Sequence, residues 1–132
     1  MKPLLRYAIV SALALSAVTG CASSKKDETP VGTLVVGAYT LDIHQENDAV
    51  AAGATSRFVI KASGGMPTSV TGWIGTADAT GSVKKPATFD ANDSDWDDDV
   101  TSPSPIPAGS KFWVEVTDAT GKKDVGSIAW TK

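Results

Sequence analysis

From Val31 onward, no segment keeps apolar residues at a 3.6-residue period for three turns. Short runs rich in alternating or β-branched apolar residues recur instead, broken by Gly, Pro, Ser, Thr and Asp. This pattern argues against a helical domain and for short strands joined by tight turns. Strands are expected at Thr33–Val36, Tyr39–Ile43, Ser56–Ala62, Ser69–Gly75, Ala87–Asp90, Asp97–Thr101, Lys111–Thr117 and Val125–Thr131. The breaks are Gly64-Gly65-Met66-Pro67, Asp78-Ala79-Thr80-Gly81, Pro103 to Gly109 and Asp118-Ala119-Thr120-Gly121. The last reads as a hairpin loop with Gly placed for a positive φ. Seven or eight short strands at this spacing predict an all-β chain folded as a β-sandwich.

The N-terminus carries a different message. Lys2 and Arg6 give a positive start, Ala8 to Val18 an apolar run of eleven residues, and Val18-Thr19-Gly20-Cys21 a small-residue site ending in the only thiol of the chain. Eleven residues are too few to span a bilayer, which takes ~20, and fit the apolar region of a secretory signal. The segment resembles a bacterial lipoprotein signal with its lipobox, with Val18 where leucine is more usual. The resemblance implies removal of residues 1–20 by signal peptidase II and lipidation of Cys21. It further implies an anchor of several acyl chains, each buried CH₂ contributing ~0.8 kcal/mol. Ala22 follows the cysteine where Asp would favour the inner membrane, so the implied address is the outer membrane. Residues 21–30 then form a polar tether and residues 31–132 the folded domain.

About 112 residues remain after such cleavage, enough for one domain with one core. With Cys21 taken by lipid, no thiol is left for a disulfide, so burial alone must hold the fold together. The mature chain sets fifteen acidic residues against ten basic ones, a formal charge of −5. That balance lacks the basic footprint of a nucleic-acid-binding domain and offers no charge attraction to anionic lipid. The covalent lipid is therefore the expected link to the membrane.

The strongest local fold signal is Pro105-Ile106-Pro107-Ala108-Gly109-Ser110-Lys111-Phe112-Trp113-Val114-Glu115-Val116. A proline-punctuated edge turns at Gly109 into a strand whose Phe112, Val114 and Val116 share one face. The stretch resembles the E–F corner of bacterial immunoglobulin-like domains, with Phe112 where the corner tyrosine often sits. It also resembles the closing hairpin of small periplasmic copper-resistance domains. Both resemblances imply an immunoglobulin-like β-sandwich.

Three groups of residues could carry chemistry. Asp90 to Asp99 packs six carboxylates and one amide into ten residues, read here as an acidic loop. Calcium takes six to eight oxygens, and Asp90, Asn92, Asp93, Asp95 and Asp97 are the candidate ligands. The EF-hand pattern fails, because position 6 counted from Asp93 is Asp98 rather than Gly and position 12 is Ser104 rather than Glu. Asp90-Ala91-Asn92-Asp93-Ser94 resembles the calcium-binding linker of cadherins, without its final Asn. The alternative is a solvated acidic connection that blunts a sheet edge.

Copper needs imidazole or soft sulfur ligands, and the mature chain offers only His44 and Met66 besides Cys21. With one histidine and no Gly-x-Ser-x-Gly elbow, a nucleophilic hydrolase is disfavoured. The tryptophans complete the inventory. Strand alternation sends Trp113 to the face opposite Phe112, Val114 and Val116, and Trp73 to the face opposite Val70 and Ile74. On neighbouring strands the two would lie side by side on an outer surface, an exposed platform for an envelope polysaccharide or protein. Trp73 also resembles the core tryptophan of immunoglobulin strand C, a role that would reverse this assignment. The expected function is non-catalytic: a lipid-anchored binding or structural module, with calcium binding by the acidic loop as the alternative.

Overall fold

The clearest alternations in the sequence become the central strands of two antiparallel sheets. The computed structural model describes residues 27–46 and 51–130; the signal segment and Cys21 lie outside them. Nine strands are formed by the described residues: β1 (Thr29–Val36), β2 (Tyr39–Gln45), β3 (Thr55–Ser63), β4 (Ser69–Gly75), β5 (Lys85–Pro86), β6 (Thr88–Asp90), β7 (Asp95–Thr101), β8 (Lys111–Thr117) and β9 (Lys123–Ile128). One sheet runs β1-β2-β3-β7-β6 and the other β5-β4-β8-β9. Apart from β1, this is the immunoglobulin order, with β2, β3, β7 and β6 as strands A, B, E and D facing β5, β4, β8 and β9 as C′, C, F and G.

Period-2 alternation decides what is buried. Leu41 and Ile43 of β2, Phe58 and Ile60 of β3, and Trp96 and Val100 of β7 point inward from the first sheet. Val70 and Ile74 of β4 and Phe112, Val114 and Val116 of β8 meet them from the second. Each such side chain contributes ~1.5–3 kcal/mol through removal from water. Phe58 and Phe112 stack face to face across the sandwich, ring centroids 3.9 Å apart. The corner before β8 is closed by Ser110, whose hydroxyl donates to the carbonyl of Pro107 at 2.6 Å.

Most strands shift by a residue or two at their ends from the sequence reading, and four differences have consequences. The first strand opens at Thr29, inside the expected tether, because Thr29 and Pro30 pair with Gln45 and His44. Proline is tolerated there since β1 is an edge strand and its missing N–H breaks no interior ladder. The ninth strand is Lys85–Pro86, two residues on the edge of β4 with no propensity to announce them. The last strand ends at Ile128, short of the expected Thr131, which lies outside the described residues. The fourth difference is chemical: β7 begins at Asp95, so most of the acidic run is strand rather than loop.

β1 also sets where the chain enters. The two-residue connection at Gly37-Ala38 turns β1 back along β2, with Gly37 at φ 59°. The N-terminal end of β1 therefore lies toward the end of the sandwich holding residues 51–54 and 102–110. The β3–β4, β6–β7 and β8–β9 connections lie at the other end.

Candidate functional site

The two tryptophans stand where alternation places them, and one is not available. Trp73 and Trp113 pair directly across β4 and β8. Their rings stack at 6.1 Å between centroids, 10° from parallel, on the face away from the core cluster. Trp73 is nonetheless only 1% exposed. After Gly75 the chain folds back over the outer face. The indole N–H of Trp73 donates to the carbonyl of Thr76 at 2.9 Å, and the Lys84 ammonium lies 4.5 Å from its ring centroid.

The covering loop is itself pinned. Ser82 donates to the carbonyl of Ile74 at 2.6 Å. The Asp78 carboxylate accepts from Thr76 and Thr80, whose donors hold its pKa down at about 2. The expected exposed pair is thus corrected: β4 strand periodicity gives the face, while the loop that continues from β4, Thr76 to Lys84, supplies a roof. Trp113 remains half-buried, its indole N–H donating to the carbonyl of Gly75 at 2.9 Å. Beside it Glu115 bridges Lys84 at 3.5 Å and Lys123 at 3.7 Å.

The acidic run divides between two environments. Asp95, Asp97 and Asp99 alternate onto the outer face of the first sheet, whereas Trp96, Asp98 and Val100 point inward. Only Ala91 to Ser94 form the turn, closed by the Ser94 N–H donating to the carbonyl of Asp90 at 2.8 Å, with Ser94 at φ 58°. This hairpin brings carboxylate oxygens of Asp90, Asp95 and Asp97 within 4.8 Å of one another. Asp93 is exposed in the turn and outside that trio. Asn92 is also exposed, and its backbone N–H donates to Asp90 Oδ1 at 2.8 Å.

Arg57 on β3 offsets part of this charge. It donates to Asp99 through Nε at 2.8 Å and through Nη2 at 3.0 Å, and lies 3.9 Å from Asp97. The Arg57 hydrogen bonds lower the pKa of Asp99. Asp97 is raised, first by burial and then by the charges of Asp90, Asp99 and Asp93, with Arg57 opposing. Three converging carboxylates can supply several of the oxygens a calcium ion takes.

Asp98 is the residue that sequence reasoning missed. It is fully buried between the sheets. Its Oδ2 accepts the Gly72 backbone N–H of the facing sheet at 2.8 Å, while Oδ1 has no hydrogen-bond partner. Burial pushes its pKa up to about 7, against the Gly72 hydrogen bond, which favours the charged form. The available signal was period 2: Asp98 sits between the inward Trp96 and Val100, but an aspartate run suggests loop before it suggests strand.

Gly72 makes this approach possible. A Cβ there would stand 2.7 Å from Asp98 Oδ2 and 2.9 Å from the Phe112 ring. Gly72→Ala is expected to cost ~1–3 kcal/mol by overpacking, measured as a lower urea midpoint with unchanged slope. An unshifted midpoint would show that the carboxylate has room to retreat.

The remaining candidates are dispersed. His44 lies on β2 with its ring nitrogens 3.3 Å from Asp42 and 3.5 Å from Glu28. Met66 is 57% exposed on the β3–β4 connection. Comparison with protein-family models, curated proteins and solved structures finds no match to this chain.

Proposed function

We propose that the protein is a lipid-anchored, non-catalytic module of the cell envelope, held at the outer membrane through Cys21. Its role would be to bind or support an envelope protein or polysaccharide. The observation that carries this reading is the position of β1. The first strand opens at Thr29, eight residues after the lipobox cysteine, with a polar connector between them. A β-sandwich on so short a lead suits a tethered module. Trp113, half-exposed beside Glu115 and Lys84, is the contact residue this reading retains, since Trp73 is covered.

The test is the mass of the mature N-terminus. Acyl groups on a chain beginning at Cys21, with uncleaved and unacylated precursor accumulating in Cys21→Ser, are the expected result. An unmodified Cys21 in protein from an envelope fraction would overturn it.

A second reading is favoured by one specific observation, the convergence of Asp90, Asp95 and Asp97. In this reading calcium ties the β6–β7 hairpin, with Asn92 and Asp93 left in the turn. Calcium at 100 times its dissociation constant would add ~2.7 kcal/mol, a rise of roughly 10 °C in the melting midpoint for a domain this size. Coincident melting curves in millimolar calcium and in EDTA would sink the calcium reading and leave the tethered-module reading untouched.

A further inference from the structure

The outer faces of the two sheets carry charge of opposite sign. On the first, Asp42, Asp90, Asp95, Asp97 and Asp99 outnumber Arg57 and Lys61, and Arg57 is committed to Asp99 at 2.8 Å. On the second, alternation turns Lys111, Trp113 and Glu115 of β8 outward, with Lys123 and Val125 of β9 beside them. The roof over Trp73 adds Lys84 to this face. Glu115 is the sole carboxylate among the outward residues of β8 and β9, and two ammonium groups share it, Lys84 at 3.5 Å and Lys123 at 3.7 Å. Asp78, the carboxylate of the roof, accepts from Thr76 and Thr80 instead. Three lysines around one carboxylate leave an excess of positive charge, on a chain whose balance is acidic. The Lys84 and Lys123 side chains are 46% and 62% exposed, so ammonium donors not used on Glu115 face solvent.

At the centre of this cationic rim the Trp113 ring is fixed. Its indole N–H is held by the carbonyl of Gly75, and the ring lies within 10° of parallel to Trp73. A ligand therefore meets an ordered aromatic surface and bears little of the usual cost of immobilising it. Val125, 48% exposed across from Glu115, extends the apolar strip. An ordered apolar ring beside free ammonium groups matches a sugar that carries a carboxylate: its C–H face rests on the indole and its anion meets the lysines.

We propose that the outer face of the second sheet binds an acidic, uronate-bearing polysaccharide through Trp113, Lys84, Lys111 and Lys123. The inference rests on the binding-module reading above and names the ligand class for its retained contact, Trp113. Charge complementarity selects an anionic occupant. The small apolar area selects a glycan over an acidic protein. A stable protein interface buries ~800 Å² per partner around a hydrophobic centre, whereas this face offers one partly exposed indole with Val83 and Val125. A polysaccharide also repeats its anionic unit, so several copies of the module engage one strand and weak single sites add up. The acidic outer face of the first sheet repels the same strand, which confines binding to one side of the sandwich.

The experiment uses the full chain expressed in a bacterial host and purified in non-ionic detergent. Three fluorescent probes are titrated by anisotropy in EDTA: a short oligogalacturonate, its methyl ester, and a polyglutamate peptide of equal charge. The oligogalacturonate should bind well above the other two, and its affinity should fall several-fold from low to high salt as exposed charges are screened. Trp113→Ala should weaken binding roughly tenfold, as loss of an aromatic anchor does. Lys123→Gln should weaken it several-fold, and Lys61→Gln on the first sheet should leave it unchanged. Lys123 is an exposed side chain, so its variant decides the matter even where Trp113→Ala folds poorly. Equal affinity for the methyl ester or the polyglutamate, or full affinity in Lys123→Gln, would overturn the assignment. Absence of oligogalacturonate binding by chain with acylated Cys21 would overturn the ligand class and leave the anchored module standing. A Cys21 without acyl groups in the same sample would overturn the anchor, while the titration still decides the ligand.

Discussion

Trp73→Ala should lower the unfolding free energy by ~3–5 kcal/mol, as removal of a fully buried tryptophan does. The residue lies outside the core cluster, so a count of core contacts would miss it. Its burial comes from a second, smaller packing layer on the outer face of the β4–β8 pair. There the indole sits between Trp113 and Lys84 and donates to the carbonyl of Thr76. Truncation removes the ring, the stacking and the N–H partner that fixes the loop from Thr76 to Lys84.

For a domain of about 100 residues the loss corresponds to a midpoint lower by roughly 15–25 °C. Since native domains have only ~5–15 kcal/mol to lose, the variant is expected to be substantially destabilised. Trp113→Ala leaves a half-buried site and should cost clearly less. Equal losses at the two positions, or a loss below ~1 kcal/mol at Trp73, would mean that the loop does not close over the indole in solution.

The second large effect is a dependence of stability on pH that runs opposite to ordinary acid denaturation. Burial raises the folded pKa of Asp98 from the ordinary aspartate value of ~3.9 to about 7. Between those values the native state holds a proton that the unfolded state has released. Stability contributed at this site therefore falls as pH rises from about 4 to about 7, and is flat outside that window. The raised pKa corresponds to about 4 kcal/mol across the window. Other carboxylates act in the reverse sense: Asp99, lowered by Arg57, contributes stability that is lost as pH falls through its folded pKa.

Asp98→Asn isolates the effect, because the amide keeps an acceptor for the Gly72 N–H and cannot ionise. The difference in unfolding free energy between Asp98→Asn and the parent should be small near pH 4. It should reach about 4 kcal/mol in favour of the variant by pH 8. Urea titrations at several pH values measure it. A difference independent of pH would show that Asp98 is solvated or charged in the native state.

The lesson of these two residues extends to the whole chain. Alternation was enough to define β4 and β8 to the residue, since Val70 and Ile74 of β4 and Phe112, Val114 and Val116 of β8 keep the inward period of two. It was enough as well to place Trp73 and Trp113 side by side on one face. It was divided along Asp95 to Asp99, read both as an acidic loop to Asp99 and as a strand beginning only at Asp97, because strand propensity there is low. There, pairing with β3 and β6 on either side supplied the backbone partners that propensity did not. It failed at Lys85–Pro86, a strand that exists only because β4 offers an edge.

The sequence by itself determined the fold class, the strand faces, the absence of any disulfide within a chain of one cysteine, and the acidic balance. These follow from local periodicity and composition, which need no knowledge of what lies across the sandwich. The tertiary structure alone decided which outward residue is roofed, which carboxylate is buried, and which three of the acidic side chains converge. It also decided that the extra strand starts at the end of the sandwich that holds residues 51–54, 76–84 and 102–110. Exposure and convergence depend on how the chain turns back on itself, within a hairpin or loop for Trp73 and for Asp90, Asp95 and Asp97, and across the sandwich for Asp98 and Gly72. Strand pairing and loop closure set them, and residue periodicity does not carry them.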